Sequence, residues 1–338
     1  MQLQLSVGLF ALCAVCTSDV PARTISTNDE LIRSLQRAQA GEVFALAPGV
    51  YDDVRIAGFH GTATIASLDP KHPAQIHHLL IRDSSGLTLR DLELVAELAN
   101  PAVGWRWPFV VVGSSRIVLK NLDVHSVPGS ALSTENGGLL VRDSDHIVVA
   151  DSDFHDLHMG IQHWKIENLE IRGNKLRQLR DDGIDGGGSS NVMIADNHCS
   201  SQHPDADDKE HPDCIQFWTT NTTEAAHDIT VENNTYDRGS GTPVQGIFFN
   251  DEAGHPYQRV TIVGNHISGA LWNGIYVRDA EDLIIEDNVV CDAPGQASWI
   301  TLMSVRGATL VNNFAGLFQF NASSISKNTG SKVGHCKA

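Results

Sequence analysis

Apolar and polar residues alternate over short stretches, stop at turn residues, and start again, most regularly from residue 79 onward. Alternation with a period of two is the pattern of a strand with one buried face. The second half of each unit reads apolar-x-apolar-x-x-Asn: LEIRGN (Asn174), VMIADN (Asn197), ITVENN (Asn234), VTIVGN (Asn265), LIIEDN (Asn288) and ATLVNN (Asn313). Earlier units, LTLRDL, IVLKNL and IVVADS, keep the pattern without the Asn. The Asn spacings are 23, 37, 31, 23 and 25 residues, a base period of about 23 with loops added in some turns. The first half of each unit is another short strand, opening at Leu79, Phe109, Leu139, Ile161, Ile184, Ile215, Ile247, Ile275 and Ile300. Gly160, Gly183, Cys214, Gly246 and Gly274 each stand just before such a strand.

Short strands at this period, with no helices between them, predict coils stacked ~4.8 Å apart. Leucine-rich repeats need a denser Leu framework, and propeller blades need ~40 residues each. The expected fold is all-β: a single-stranded, right-handed parallel β-helix, a solenoid, with the six Asn along one inner corner. An N-terminal helix over 28–41 opens at Asn28-Asp29-Glu30, aligns Leu31, Leu35 and Ala38, and closes at Gly41. It is expected to cap the open end of the core. The β-helix domain is expected over 23–338, with coils over 79–320 and a tail over 321–338 laid on the last coil and tied by Cys336.

The 338 residues carry 24 basic and 41 acidic side chains, a net charge of −17. That balance opposes a nucleic-acid partner. It does not oppose an anionic substrate, because a local basic group or cation can reverse the sign. Leu3 to Val15 is mostly apolar but shorter than the ~20 residues of a membrane span. Residues 1–22 fit a secretory signal cut near Val20-Pro21-Ala22, although no Lys or Arg precedes Arg23; a buried N-terminal segment is the alternative. A secreted or periplasmic protein without a membrane span is expected. Cys13 and Cys16 would leave with the signal. Cys199, Cys214, Cys291 and Cys336 remain, an even number that permits disulfides. Cys199 and Cys214, which bracket a polar loop, are the favoured pair.

On these repeats the chain resembles the pectate-lyase-like superfamily of secreted polysaccharide-active β-helices, over about residues 24–320. The entry TISTNDELIRSLQRAQAGEVFALAPGVY resembles that of the alginate-lyase and chondroitinase B group. RDDGID and EHPDCIQFW resemble exported β-helices of no assigned reaction. The resemblance implies action on a uronate-containing polysaccharide such as alginate or pectate, by removal of the proton α to the uronate carboxylate. Fold alone does not fix the reaction.

Stacking the strands turns linear spacing into columns. Trp164, Gln216, Trp218, Gln245 and Asn250 fall on or beside one outer face and are candidate substrate contacts. Trp164 and Trp218 should stand two coils apart, nearly 10 Å, with a notch at Gly187; the alternative packs both Trp under the polar loop 200–213. Asp182, Asp185 and Asp213 fall at one edge of adjacent coils. Three such carboxylates suit Ca²⁺, a solvated acidic edge, or paired catalytic carboxyls. Lys209 and His211 are the candidate bases. His211 is preferred, because His titrates near neutral pH while Asp207, Asp208 and Glu210 oppose a neutral Lys. Arg278 is a candidate for the uronate carboxylate, unless it pairs with Asp279 or Glu281, and Tyr276 for the proton donor. His163 points inward and reads as a core residue. The loop Trp105 to Pro108 offers a second wall. The leading expectation is a polysaccharide lyase. Its alternatives are a uronate C5-epimerase, a polygalacturonase-like hydrolase and a non-catalytic glycan-binding β-helix. The Asn-Thr-Asp and Arg-Ile-Lys elements of polygalacturonases are missing.

Overall fold

Each repeat unit is one coil of parallel strands. In one coil, Ile161–Arg172 forms two sides through a bend and Lys175–Arg177 forms the third. The leading residues stack in register: Ile161, Ile184, Ile215, Ile247, Ile275 and Ile300 are successive parallel partners. Among the described residues the first two sides merge into a 22-stranded sheet, and the third makes a 12-stranded one. The computed structural model describes residues 22–97, 106–127, 136–204, 211–321 and 325–336. Nearly all of the expected signal segment, with Cys13 and Cys16, lies outside them, as do Trp105 and Lys209. No described helix is long and apolar enough to cross a membrane.

The six Asn line one buried corner. From Asn197 to Asn313, each Oδ1 accepts from the backbone N–H and Nδ2 of the Asn one coil earlier, at 2.9–3.1 Å. Each Nδ2 also donates to a main-chain carbonyl, as from Asn234 to Ile194 at 2.8 Å. Ser152 extends the ladder upstream: its N–H donates to Asn174 Oδ1, and its Oγ accepts from Leu122 N–H. The residue before each corner has a positive φ, among them Asp196 (55°), Asn233 (53°) and Asp287 (53°). Asp, Asn and Gly tolerate that left-handed conformation best, which explains the residue chosen ahead of each Asn.

Glycine recurs before the leading strand for a steric reason. A Cβ on Gly160 would lie 2.4 Å from the Gly183 carbonyl oxygen, and one on Gly246 would lie 2.2 Å from that of Gly274.

The stack begins before residue 79. Val54 pairs with Leu79, Glu42 with Ala63, and Arg23 with Phe44. The corner there holds Ala74 and then Leu92, so no Asn marks the unit. The stretch expected as a tail forms strands instead: Ile325–Thr329 pairs with Ala308–Val311, and Lys332–Val333 with Phe314–Ala315. Cys336 is bonded to Cys291, and Cys199 to Cys214.

The helix is shorter than 28–41, spanning Asn28–Leu35. Thr27 Oγ1 caps it by accepting from Glu30 N–H. After Leu35 the chain tightens into three-residue turns, Arg37 N–H to Ser34 O and Ala38 N–H to Leu35 O. Leu31 and Leu35 are buried in the core, each contributing about 2 kcal/mol by leaving water.

Candidate active site

Parallel register places Gln162, Asp185, Gln216, Phe248 and Tyr276 in one outward column. Asp182 and Asp213 stand two residues ahead of the paired Ile184 and Ile215, so they meet at the edge of adjacent coils. Asp182, Asp185, His211, Gln216, Trp218 and Asn250 help line a cleft of about 430 Å³.

The acidic centre is buried. Asp182 Oδ1 accepts from Asp213 N–H at 2.7 Å. Burial first, then the charges of Asp181, Asp213 and Asp185, holds the Asp182 carboxyl well above the usual range. Burial also pushes Asp185 up to about 6; Gln162, donating to Oδ2 at 2.7 Å, opposes this in part. The Trp218 indole N–H also favours the Asp185 carboxylate, without reaching hydrogen-bond geometry. Asp185 Oδ1 and Asp213 Oδ1 are buried with no hydrogen-bond partner, an arrangement that costs free energy unless a ligand or water completes it.

Asp213 is fully buried. Its Oδ2 accepts from Gln216 Nε2 at 2.7 Å and faces His211 Nδ1 at 3.3 Å. Burial drives Asp213 up to about 6. The hydrogen bond to Asp213 drives His211 up to about 9, against the opposing effect of its own burial. Between those values Asp213 is anionic and His211 cationic, each stabilising the other.

Held up to about 9, His211 carries its proton at neutral pH and is better suited to give a proton than to take one. Asp182, Asp185 and Asp213 share the edge as expected. However, no group of three or more His, Cys, Asp or Glu is placed to hold a metal ion among the described residues. One oxygen of each Asp is turned to Asp213 N–H, Gln162, or Gln216 and His211. Asp185 and Asp213 each keep a second oxygen that has no partner.

Trp164 and Trp218 lie 5.2 Å apart, inclined by 53°, not nearly 10 Å. Gly187 has no side chain, so the rings close over it; a Cβ there would lie 2.2 Å from the Trp218 carbonyl oxygen and 2.9 Å from the Trp164 ring. The expected notch is therefore filled. Tyr276 stacks on Phe248 at 4.6 Å and does not line the cleft. Arg278 Nε donates to Asp279 Oδ2 at 3.2 Å, the local pairing weighed against a substrate role. Gln245 accepts from the Asn273 amide, and Asn250 donates to Glu252 Oε1 at 2.9 Å. His163 is the expected core residue: burial pushes it down to about 3, and its Nδ1 faces Ser189 Oγ at 3.0 Å.

Sequence reasoning missed Gln202. Its buried amide donates to the Asp181 carbonyl at 2.9 Å and the Asp213 carbonyl at 3.3 Å, tying two coils behind the carboxylates. Its place at the start of the polar loop was its one signal.

Residues 109–270 match the family described as right handed beta helix region. No curated protein matches the chain by sequence. Solved structures do match in shape. The surface adhesin PfbA of Streptococcus pneumoniae has 12% identity and a TM-score of 0.55, over 90% of this chain and 95% of that one. A PL6 family polysaccharide lyase from Pseudopedobacter saltans has 13% identity and a TM-score of 0.53, over 92% of each chain. The A-module of a mannuronan C-5 epimerase from Azotobacter vinelandii has 12% identity and a TM-score of 0.52, over 92% of this chain and 100% of that one. At such identities the likeness concerns the fold.

Proposed function

We propose that this right-handed parallel β-helix is a secreted or periplasmic polysaccharide lyase. Its substrate would be a uronate-containing polymer such as alginate or pectate, cleaved by β-elimination between Asp185 and His211. One observation carries this reading. Two groups lining one cleft have been driven apart, Asp185 to about 6 and His211 to about 9, so at neutral pH one is a base and the other an acid. Asp185 takes the proton α to the uronate carboxyl. The electron pair of that C–H bond forms a carbon–carbon double bond, the C–O bond to the next sugar breaks, and His211 Nε2 protonates the leaving oxygen. Asp182, which burial and its acidic neighbours bias toward the protonated form, offers a hydrogen-bond donor to the substrate carboxylate. The two disulfides support an oxidising compartment, and the fold is shared with a PL6 lyase and a C-5 epimerase.

Glycoside hydrolysis is the second reading. It is favoured by two carboxyls in one cleft, Asp182 biased further toward its protonated form than Asp185, since that mechanism uses one carboxyl as acid and one as base. Incubation with a panel of uronate polymers and neutral glycans separates the two. A lyase gives the ultraviolet absorbance of an unsaturated uronate with each new chain end. A hydrolase gives reducing ends without it. An epimerase alters the uronate residues with no new ends. No change in any polymer would sink the enzymatic reading and leave a binding protein.

A further inference from the structure

His211 lies just ahead of strand Asp213–Trp218, and its side chain is 61% exposed. An exposed ring samples many orientations, whereas a proton donor must hold one. Asp213 holds the ring at one atom only, Nδ1, at 3.3 Å, which leaves it free to swing about that contact. The second restraint is the ring of Phe248, its centroid 5.4 Å from that of His211 and inclined by 49°. Phe248 is itself held: Tyr276, one coil further, lies on it at 4.6 Å and 13°. Both rings sit on the outer side of the sheet, partly open to water, where core packing does not account for them.

We propose that Phe248 and Tyr276 are positioning residues for the proton donor: Phe248 holds the His211 ring with Nε2 toward the cleft, and Tyr276 holds Phe248. This rests on the assignment of His211 as the donor. The negative face of an aromatic ring attracts a cation within ~6 Å, so Phe248 favours the imidazolium and works in the same direction as Asp213. Among the described residues, the other charged or titratable groups of the cleft walls around His211 are Asp181, Asp182, Asp185 and Glu252. The stack also gives Tyr276 a role other than the one its hydroxyl suggested.

The test is the titration of the His211 ring by NMR in the full chain without substrate, assigned by difference with His211→Asn, alongside the pH profile of kcat/KM. Phe248→Leu should lower the titration midpoint by about half a unit to one unit, and the alkaline limb of the profile should move with it. Phe248→Tyr should restore both. Tyr276→Leu should move the midpoint the same way by less, and Tyr276→Phe, which keeps the stack, should not move it. An unchanged midpoint in Phe248→Leu overturns the proposal. So does a roughly 10²-fold loss of turnover in Tyr276→Phe with the titration unmoved, because the donor would then be the hydroxyl. The titration needs no substrate. A protein that turns over no polymer would sink the lyase reading, and with it the donor role, while the midpoint would still decide whether Phe248 holds the His211 ring.

Discussion

Asp185 serves two opposed demands. The proposed elimination needs it ionised and His211 protonated, so kcat/KM should rise through about pH 6 and fall through about pH 9. Asp185→Asn should lower kcat by roughly 10²–10⁴-fold. Stability runs the other way. The folded value, about 6, lies above the ordinary 3.8, so the protonated carboxyl's contribution is whole below 3.8 and is lost as pH rises through 6. At pH 7 the buried charge costs up to about 3 kcal/mol. Asp185→Asn should therefore raise the melting temperature at pH 7 and leave it nearly unchanged near pH 3.5. A lower melting temperature at pH 7 would mean that burial is not what holds Asp185 up. The meeting of Asp182 with Asp213 was legible in sequence, because coil spacing alone sets it. The protonation of His211 was not, because it depends on how deeply Asp213 is buried. Nor was the contact of Trp164 with Trp218, which depends on how rings lean across a residue with no side chain.

Among the elements, the Asn corner is the most exacting. Asn234 Oδ1 accepts from the Asn197 N–H and Nδ2, and its Nδ2 donates to the Ile194 carbonyl. Asn234→Ala would strand all three inside the core, at about 1–3 kcal/mol each. The loss in urea unfolding should reach about 3 kcal/mol or more. Asn234→Ser should recover part of it, since Ser152 already serves the corner through Oγ. A loss below about 1 kcal/mol would show that water replaces the ladder. The corner could be read from sequence because its chemistry demands one residue type after a left-handed one. A second corner escaped notice. There Ser84 N–H donates to Ser114 Oγ, and Ser114 N–H to Ser144 Oγ. Ser is too common at turns to mark a period, and the coils before residue 79 carry apolar corners that mark none.

On the scale of the whole molecule, the cleft spans coils from Ile161–Arg172 to Gln245–Asn250, with coils on both sides. The last described strands, Ile325–Thr329 and Lys332–Val333, are mostly exposed. Amide exchange should be slowest beneath the cleft and quicken toward those strands. Uniform protection along the stack would contradict this. Reducing the Cys291–Cys336 bond should widen the fast-exchanging end and spare turnover. Because each coil meets only its two neighbours, the solenoid behaves as a one-dimensional lattice, in which a disturbance decays with distance along the axis. Its reach and its reactivity are then separate variables. A coil gained or lost at the far end would change the length of the outer face, while Asp185 and His211 kept their places. Lineages of such a protein are free to alter the length of that face without rebuilding the cleft.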